Sequence, residues 1–260
     1  MRYLTKANAT PGCVFCQKLA SSADIDNLVL WRGESIALLM NLFPYSTGHV
    51  MLLPYEHVAS PEQLQDPAIM AEIALELAPI MRALRRLLDC QGFNTGMNTG
   101  GAAGAGIADH MHMHVVPRWN GDANFMPIIG NVTVMPEVLA VTYAKLRAEL
   151  IVEHDSSRRP NALVFSPDSN RVLIQPNAGG LLPSASTDFQ HSLVRIMASE
   201  LETMSVEASI AGWAGDDTVV WVATSESDPA GGVWAPVSAL PDRIALLAEE
   251  ALTRLRDGTV

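Results

Sequence analysis

The sequence is short of cysteine, of positive charge and of long apolar runs, and each shortage excludes a class of protein. Three cysteines in 260 residues are too few for the disulfide framework of a small secreted protein. Every apolar run is broken well before the about 18 residues that a membrane-spanning helix needs. Residues 1–6 include Arg and Lys and lack the apolar core of a secretory signal. We therefore expect a cytoplasmic protein with no membrane partner.

The acidic balance of the chain is concentrated in its second half. Residues 1–159 contain 15 acidic and 12 basic residues, whereas residues 160–260 contain 13 acidic and 5 basic residues. Repulsion from phosphate backbones therefore argues against a nucleic-acid partner. The change in charge also indicates two units, and the polar stretch 154–161, which ends in Pro-Asn, is typical of a linker. We predict a first domain over residues 1–153 and an acidic C-terminal domain over residues 162–260.

Short strands and amphipathic helices alternate along both halves, a pattern typical of α+β proteins. In the first half a long helix with an apolar face interrupts a run of strands, which predicts an antiparallel sheet with a crossover helix. The second half is expected to form a smaller α/β domain. Strands are predicted over residues 28–32, 36–42, 49–55, 93–98, 110–117, 162–165, 172–175 and 219–223. Helices are predicted over residues 61–89, 138–152, 189–204 and 243–256.

Three histidines, His110, His112 and His114, alternate with methionines in the run 110–117 (HMHMHVVP). This period of two is that of a β-strand, so the three imidazoles are predicted to project from one face, about 6.6 Å apart, with the methionines on the other. Such a row suits a nucleophile with a neighbouring proton donor, or a catalytic metal centre. Structural histidines are the third interpretation, although each buried ring would then need a partner of its own.

A loop of small residues, 100–106 (GGAAGAG), directly precedes the histidines. Glycine lets backbone N–H groups approach an anion closely, and Gly104 and Gly106 are placed for this. A plain flexible loop has the same composition, but the neighbouring histidines favour phosphate binding.

The histidine run and its surroundings resemble the histidine triad (HIT) family of nucleotide hydrolases and transferases. Residues 110–116 match the pattern of three alternating histidines followed by two valines. Two flanking blocks match as well, and one of them is similar to the bacterial diadenosine tetraphosphate phosphorylase branch. The upstream block consists of Asn41, Pro44, Gly48, His49, Val50, Pro54 and His57. The other, branch-like block consists of residues 92–94, Asn98 and residues 117–125 (PRWNGDANF). The resemblance spans about residues 12–152.

The resemblance implies that His112 attacks the α-phosphorus of a nucleotide and forms a covalent nucleotidyl-histidine, which water or phosphate then resolves. Neutral imidazole suits this role near pH 7, because its ordinary pKa is about 6.5. In the family pattern a backbone carbonyl accepts the far ring N–H, and His114 would contact the phosphate and leaving-group oxygens. Asn98 would contact phosphate and Asn41 the ribose hydroxyls. Family members commonly form homodimers, which we also expect here.

The loop before the triad departs from the family pattern. Many members carry a hydrogen-bonding side chain there, whereas Ala105, Gly106, Ile107 and Ala108 offer none. The predicted phosphate contacts of Gly104, Ala105 and Gly106 are therefore backbone N–H groups. The departure leaves the identity of the leaving-group acid open.

Cys13 and Cys16 have the spacing of two thiolates in a structural zinc site. The alternative is a reduced pair with a redox role or with none, and Cys90 is expected to be a buried core thiol. Some HIT relatives bind zinc with two cysteines, a histidine and the first triad histidine, so the resemblance implies His57 and His110 as the other ligands. A zinc with four protein ligands would be structural.

The C-terminal part weakly resembles a degenerate Nudix domain. The matching elements are residues 179–183, a helix containing Glu200 and Glu202, a strand over 219–224 and residues 232–241. A Nudix site needs clustered helix carboxylates to hold a divalent metal, but Thr203 and Met204 stand where further acids would be expected. We therefore expect a domain without catalysis that serves in packing or substrate shaping; an unrelated small α+β domain is the alternative.

Together these features predict an enzyme that cleaves a phosphoanhydride in a dinucleoside polyphosphate, with diadenosine tetraphosphate favoured, by phosphorolysis or hydrolysis. Two other classes fit the same residues. One is a nucleotide-binding regulatory protein with little or no catalysis. The other is a zinc hydrolase that uses the three histidines as its metal centre.

Overall fold

The computed structural model describes residues 12–122, 137–155, 161–166, 168, 170–174, 192–193, 195–196, 199, 201, 209–213, 220–224 and 233–257. The chain divides into two compact units. The first comprises Met1–Leu84 and Cys90–Pro136, and the second comprises Arg85–Asp89 and Glu137–Val260. The helix that starts after residue 137 thus groups with the second unit, whereas the sequence alone indicates a boundary at the 154–161 stretch.

The first unit contains a five-stranded antiparallel sheet, which confirms the predicted HIT-like α+β arrangement. Its strands are β1 (Val29–Arg32), β2 (Ile36–Met40), β3 (Val50–Pro54), β4 (Gly92–Met97) and β5 (Met113–Arg118). Their order across the sheet is β1-β2-β3-β5-β4. Strands β2 and β3 are buried along their whole length, which agrees with their continuous apolar sequences. Strand β5 lies between β3 and β4, so the end of the histidine run enters the interior of the sheet.

Three helices accompany this sheet. Helix α1 (Val14–Ala20) packs Phe15 against the buried face that includes Val29 and Leu39, and α2 (Asp24–Asn27) leads directly into β1. The crossover helix α3 (Ala68–Leu88) connects β3 to β4 and buries a stripe of Ile69, Ile73, Ile80, Ala83 and Leu84. It was expected from residue 61, where the structure has only a short 3-10 turn, Pro61–Gln63.

The prediction that residues 110–117 form one strand is wrong at its start. Strand β5 begins at Met113, so His110 and His112 precede it and only His114 lies within it. The register with β3 ends at the pair Leu52 and Met113. Just before this point the Met111 N–H donates to the carbonyl of Val58, which lies beyond the end of β3 (2.7 Å). The strand pairing with β3 therefore stops at the residues where the rings of His110 and His112 bind backbone carbonyls.

The second unit contains a mixed sheet and two helices in the described residues. The helices are α4 (Leu139–His154) and α5 (Asp242–Asp257), and the strands are β6 (Asn161–Phe165), β7 (Arg171–Ile174), β8 (Ser209–Trp213), β9 (Val220–Thr224) and β10 (Val233–Pro236). The strand order is β10-β7-β6-β9-β8, with β6 and β9 parallel and the other neighbours antiparallel. Phe165 and Val172 pack with Ala248 and Ala251 of α5. The helix predicted over 189–204 lies mostly outside the described residues.

No helix in the described part of the chain is long and apolar enough to cross a membrane.

Candidate functional site

The site of the first unit is built from the loop after β2, the ends of β3 and β4, and the segment that leads into β5. The loop 41–49 is closed by two backbone bonds, from the Asn41 N–H to the His49 carbonyl (3.0 Å) and from the His49 N–H to the Ser46 carbonyl (3.1 Å). The Ser46 hydroxyl then donates to the carbonyl of Pro117 on β5 (2.8 Å). These bonds hold the loop beside the histidine-bearing strand.

The backbone fixes the tautomers of the first two triad histidines. Nε2 of His110 lies 2.9 Å from the carbonyl oxygen of Pro54, and Nδ1 of His112 lies 2.9 Å from the carbonyl oxygen of His110. A carbonyl oxygen only accepts, so each of these ring nitrogens carries the hydrogen. The remaining ring nitrogen of each histidine, Nδ1 of His110 and Nε2 of His112, therefore keeps its electron pair and is available as a ligand or nucleophile.

A fourth histidine fixes the tautomer of His114, and this part of the site was not assigned from the sequence. The Tyr45 N–H donates to Nδ1 of His49 (3.0 Å), so His49 carries its hydrogen on Nε2. That Nε2–H donates to Nδ1 of His114 (2.9 Å), which leaves the hydrogen of His114 on its own Nε2. His49 was recognised in the sequence only as part of the upstream block.

Lowered pKa values keep His49, His112 and His114 neutral near pH 7. His49 is fully buried, and its burial together with the neighbouring charges of His114 and His112 lowers its pKa to about 3. Burial and the adjacent His112 lower the pKa of His114 to about 4. Burial also lowers the pKa of His112, against the opposing effect of its bond to the His110 carbonyl. A neutral His112 has the electron pair that nucleophilic attack requires.

Cys13, Cys16, His57 and His110 converge, and their ligand atoms all lie within 4.8 Å of one another. Sγ of Cys16 is 3.2 Å from Nδ1 of His57 and 3.5 Å from Nδ1 of His110, and the two Nδ1 atoms are 3.4 Å apart. Sγ of Cys13 is 3.5 Å from Nδ1 of His110. In a tetrahedral zinc site neighbouring donors are about 3.3–3.8 Å apart, given the usual zinc–sulfur and zinc–nitrogen distances. The four predicted ligands therefore have the chemistry and spacing of a metal site.

Further support for a metal at this cluster comes from His110. Its Nε2–H is held by the Pro54 carbonyl, so its Nδ1 electron pair points into the cluster. A backbone carbonyl on the far nitrogen is the usual arrangement behind a metal-bound histidine. Elsewhere in the described residues no other group of three or more His, Cys, Asp or Glu has this convergence. His112 and His114 take no part in the cluster, which argues against the three histidines acting together as a metal centre.

The predicted nucleotide-binding residues lie around the histidines. The Asn41 side-chain oxygen accepts the Phe43 N–H (3.0 Å), and its amide nitrogen lies 3.4 Å from the His49 ring. Met97 pairs with Met113 across the sheet, and Asn98 is the first residue after β4, where this register ends. The structure thus brings Asn41 to the histidines through His49, whereas the described contacts include none between Asn98 and a histidine.

The small-residue loop contains a 3-10 turn, Gly101–Ala103, between two glycines with left-handed backbone. Gly100 has φ 77° and Gly104 has φ 79°, conformations that favour glycine. Gly104 and Gly106 are exposed and Ala105 is half-buried, so the backbone of this predicted phosphate loop is accessible. Ile107, just after it, packs on the core beneath α1 and anchors the loop to the sheet.

Comparison with known proteins identifies the first unit. A family model described as HIT domain matches residues 22–121. A protein of Mycobacterium tuberculosis named AP-4-A phosphorylase is 38% identical over 157 residues, which are 57% of this chain and 80% of that protein. Protein hit of Bacillus subtilis is 28% identical over 114 residues, covering 44% of this chain and 75% of that protein. The family model ends well before the C-terminal part and gives no support to its predicted Nudix resemblance.

Among solved structures, a zinc-bound histidine triad family protein from Mycobacterium smegmatis is similar over 56% of this chain and 98% of that protein, with 28% identity and a TM-score of 0.44. The sequence identity to the M. tuberculosis protein, which this chain covers over four-fifths of its length, carries the assignment. The chain belongs to the histidine triad family.

Proposed function

We propose that this protein cleaves a phosphoanhydride bond of dinucleoside polyphosphates, diadenosine tetraphosphate in the first place, through a nucleotidyl intermediate on His112. The observation that carries the proposal is the fixed tautomer of His112, whose Nδ1–H is held by the His110 carbonyl while Nε2 keeps its electron pair. The relative named AP-4-A phosphorylase supports the choice of substrate. Phosphate or water would be the second substrate.

The proposed reaction has two displacements. In the first, Nε2 of His112 forms a bond to the α-phosphorus, and the bond from phosphorus to the departing nucleotide oxygen breaks with its electron pair remaining on that oxygen. Nε2–H of His114 donates to the oxygen as this charge develops, an interaction that is strongest in the transition state. In the second, an oxygen of phosphate attacks the same phosphorus, the N–P bond breaks, and a nucleoside diphosphate is released. Water in place of phosphate would give the monophosphate.

The His110 carbonyl has a second part in this scheme. When Nε2 of His112 bonds to phosphorus, the ring becomes cationic, and the existing Nδ1–H bond to the carbonyl becomes charge-assisted. The intermediate is thereby stabilised without any movement of the backbone. We further propose that backbone N–H groups of Gly104, Ala105 and Gly106, together with Asn98, contact the phosphates, and that Asn41 contacts the ribose.

We propose that the metal held by Cys13, Cys16, His57 and His110 is a structural zinc. Bound there, the metal would join α1, the segment after β3 and the segment before β5. All four positions around it would be protein ligands, so it would hold the backbone of the catalytic segment and contribute no open position for a water.

Incubation with diadenosine tetraphosphate, with and without phosphate, tests the proposed function. We expect ADP as a product only when phosphate is present if the enzyme is a phosphorylase, and AMP if it is a hydrolase. His112→Ala should lower kcat at least about 10³-fold while nucleotide still binds, because the nucleophile is lost. His154→Ala, which removes a histidine of the second unit, is the matched control and should leave turnover unchanged. Full turnover by the His112→Ala variant would refute the covalent mechanism.

A nucleotide-binding regulatory protein is the second candidate, and the absence of a polar side chain over residues 105–108 favours it. This candidate predicts saturable nucleotide binding with no product from any dinucleoside polyphosphate. The same incubation therefore separates the two.

We also propose a homodimer. Strand β4 is at an edge of the described sheet of the first unit, and a strand edge presents backbone groups that a second copy can pair. Sedimentation equilibrium should give twice the chain mass of 28.0 kDa, and a single-chain mass at micromolar concentration would refute the dimer.

A further inference from the structure

The side chain of Tyr45 is an exposed aromatic surface placed directly against the two hydrogen-bonded histidines. Its ring centroid is 4.6 Å from that of His49 and 5.9 Å from that of His114, and its plane is within 28° of the His114 plane. Despite these contacts the residue is 60% exposed. One part of the ring therefore covers the imidazoles while much of it is open to solvent.

The position of this ring is determined by its backbone. The Tyr45 N–H donates to His49 Nδ1, and the next residue, Ser46, is bound through its hydroxyl to the Pro117 carbonyl. Two side-chain torsions remain, and both are restricted by stacking on the imidazoles. An ordered, exposed aromatic ring loses little conformational entropy when a ligand stacks on it.

The chemistry of the proposed reaction indicates which part of a substrate reaches this ring. In-line attack by His112 expels the leaving group on the side of the phosphorus away from His112 Nε2. His114, which donates to the departing oxygen, lies on the path of that fragment, and its ring is 4.8 Å from the His112 ring centroid. The exposed Tyr45 ring stacks on His114, so it offers an aromatic surface beside the departing oxygen.

We propose that Tyr45 is a specificity-determining residue that stacks on the nucleobase of the departing nucleotide and so favours dinucleoside polyphosphates over mononucleotides with the same phosphate chain. This inference rests on the proposed function. The phosphate chain between the two nucleosides is flexible, so the departing base can reach a ring beside its own leaving oxygen. Every nucleobase has a π face, so the contact is independent of base identity.

Two substrates that differ only in the second nucleoside test the proposal: diadenosine tetraphosphate and adenosine 5′-tetraphosphate. Both present the same α-phosphorus and the same number of phosphates. In Tyr45→Ala we expect the ratio of kcat/KM for the first substrate to that for the second to fall about tenfold or more, the effect of losing one base–aromatic stack. Tyr45→Phe should retain the ratio, because it keeps the ring. Tyr55→Ala, which removes an exposed tyrosine outside the site, is the control and should retain it too.

Each other outcome overturns the inference in a recognisable way. An equal loss of kcat/KM on both substrates would mean that Tyr45 only supports His114 and His49 or contacts the nucleoside common to both. An unchanged ratio in Tyr45→Ala would mean that the departing base makes no contact with the ring. If the unaltered protein turns over neither substrate, the proposed function itself fails, and this inference fails with it.

Discussion

His49 determines which ring nitrogen of His114 carries a hydrogen, so the proposed chemistry of the site depends on the position of a single proton. Its Nε2–H faces Nδ1 of His114 at 2.9 Å, and its own Nδ1 is occupied by the Tyr45 N–H. Without that donor, the hydrogen of His114 could occupy either ring nitrogen, and the tautomer that holds it on Nδ1 cannot donate from Nε2. The residue is thus a positioning residue, which acts through His114.

His49→Ala should lower kcat by about 10²-fold with a smaller effect on KM, since a hydrogen bond used mainly in the transition state is weakened. His49→Gln is the matched variant, because its amide can accept the Tyr45 N–H and donate to His114, and it should recover much of the loss. Steady-state kinetics with a circular-dichroism check of folding measures both. Equal activity of His49→Ala and the unaltered protein would contradict the role.

The burial of the histidine pair also predicts how acid affects the first unit. Burial is the main cause that lowers the pKa of His49 to about 3 and that of His114 to about 4. A histidine in the unfolded chain has a pKa of about 6.5. Between these values the unfolded chain binds more protons, so the free energy of unfolding should fall as pH drops from about 6.5 toward 4.

Urea unfolding at about pH 7 and at about pH 5.5, at constant zinc concentration, measures this dependence. The double variant His49→Gln, His114→Gln retains all four predicted metal ligands but lacks the buried pair, and its unfolding free energy should depend less on pH. The same pH dependence in both proteins would assign the effect to other groups.

Residue chemistry explains which of these roles the sequence predicts. Two cysteines at a fixed spacing and a histidine run are local patterns, so they can be singled out from the chain alone, whereas the role expected of His112 comes from the family resemblance. The part played by His49 depends on a contact between residues 65 positions apart. That contact exists because β3 pairs with β5, and no local pattern contains the register of two distant strands.

At the scale of elements, the proposed metal ligands come from three pieces of the fold that already contact one another, through the Met111 N–H bond to Val58 and the packing of Phe15 against the His110 ring. Cys13 and Cys16 lie at the start of α1, His57 follows β3, and His110 precedes β5. Short helices gain little stability from their own hydrogen bonds, and α1 has only seven residues. Its attachment therefore comes from Phe15 and Leu19 in the core and from the Arg32 side chain, which donates to the Leu19 carbonyl (2.9 Å), and a metal bound by the two thiolates would strengthen it.

The protein should contain about one zinc per chain, and Cys16→Ser should lose it and unfold at a lower temperature. Metal analysis by mass spectrometry and thermal unfolding measure the two effects. Cys90→Ala is the matched control, because Cys90 is buried but lies outside the cluster, and it should retain the zinc. Chelation should reduce activity at the rate of zinc loss and unfolding, and an immediate loss of turnover in a folded protein would instead indicate a catalytic metal.

Element boundaries are predictable where one physical effect dominates and not where two compete. The buried strands β2 and β3 and the helix α5 appear close to their predicted positions because apolar periodicity determines them. Strand β5 begins three residues later than predicted, since the backbone carbonyl of His110 is used by a side chain in place of a strand partner. Strands β8 and β10 are short and were not predicted, because their pairing partners, β9 and β7, rather than their own sequences, stabilise them.

At the scale of the whole molecule, the buried ionisable groups of the two units are expected to change stability in opposite directions as pH falls. In the second unit Glu149 is 1% exposed, and burial raises its pKa to about 7 despite Arg86 nearby. Arg86 also pairs with Glu153, and the Leu193 N–H donates to Glu149. A carboxyl whose folded pKa is raised stabilises the fold most when it is protonated, so its contribution is present at low pH and is lost as pH rises through about 7.

Arg86→Met should destabilise the second unit by about 3 kcal/mol, because it removes the cation that pairs with both Glu149 and Glu153. Glu149→Gln should cost far less and should reduce the pH dependence of the stability of this unit between about pH 5 and 8, since an amide oxygen still accepts the Leu193 N–H and an amide does not titrate. Hydrogen exchange of α4 amides measures this unit by itself. A larger loss for Glu149→Gln than for Arg86→Met would contradict the arrangement.

The atoms that give three of the histidines their tautomers all belong to the peptide backbone: the carbonyls of Pro54 and His110 and the N–H of Tyr45. Exchanging a side chain does not remove a main-chain atom. Substitutions at position 54 that keep the buried strand folded should therefore leave the hydrogen of His110 on Nε2. Position 45 is the exception, because proline has no backbone N–H. Tyr45→Pro would remove the donor to Nδ1 of His49, so the hydrogen positions of His49 and His114 would no longer be fixed.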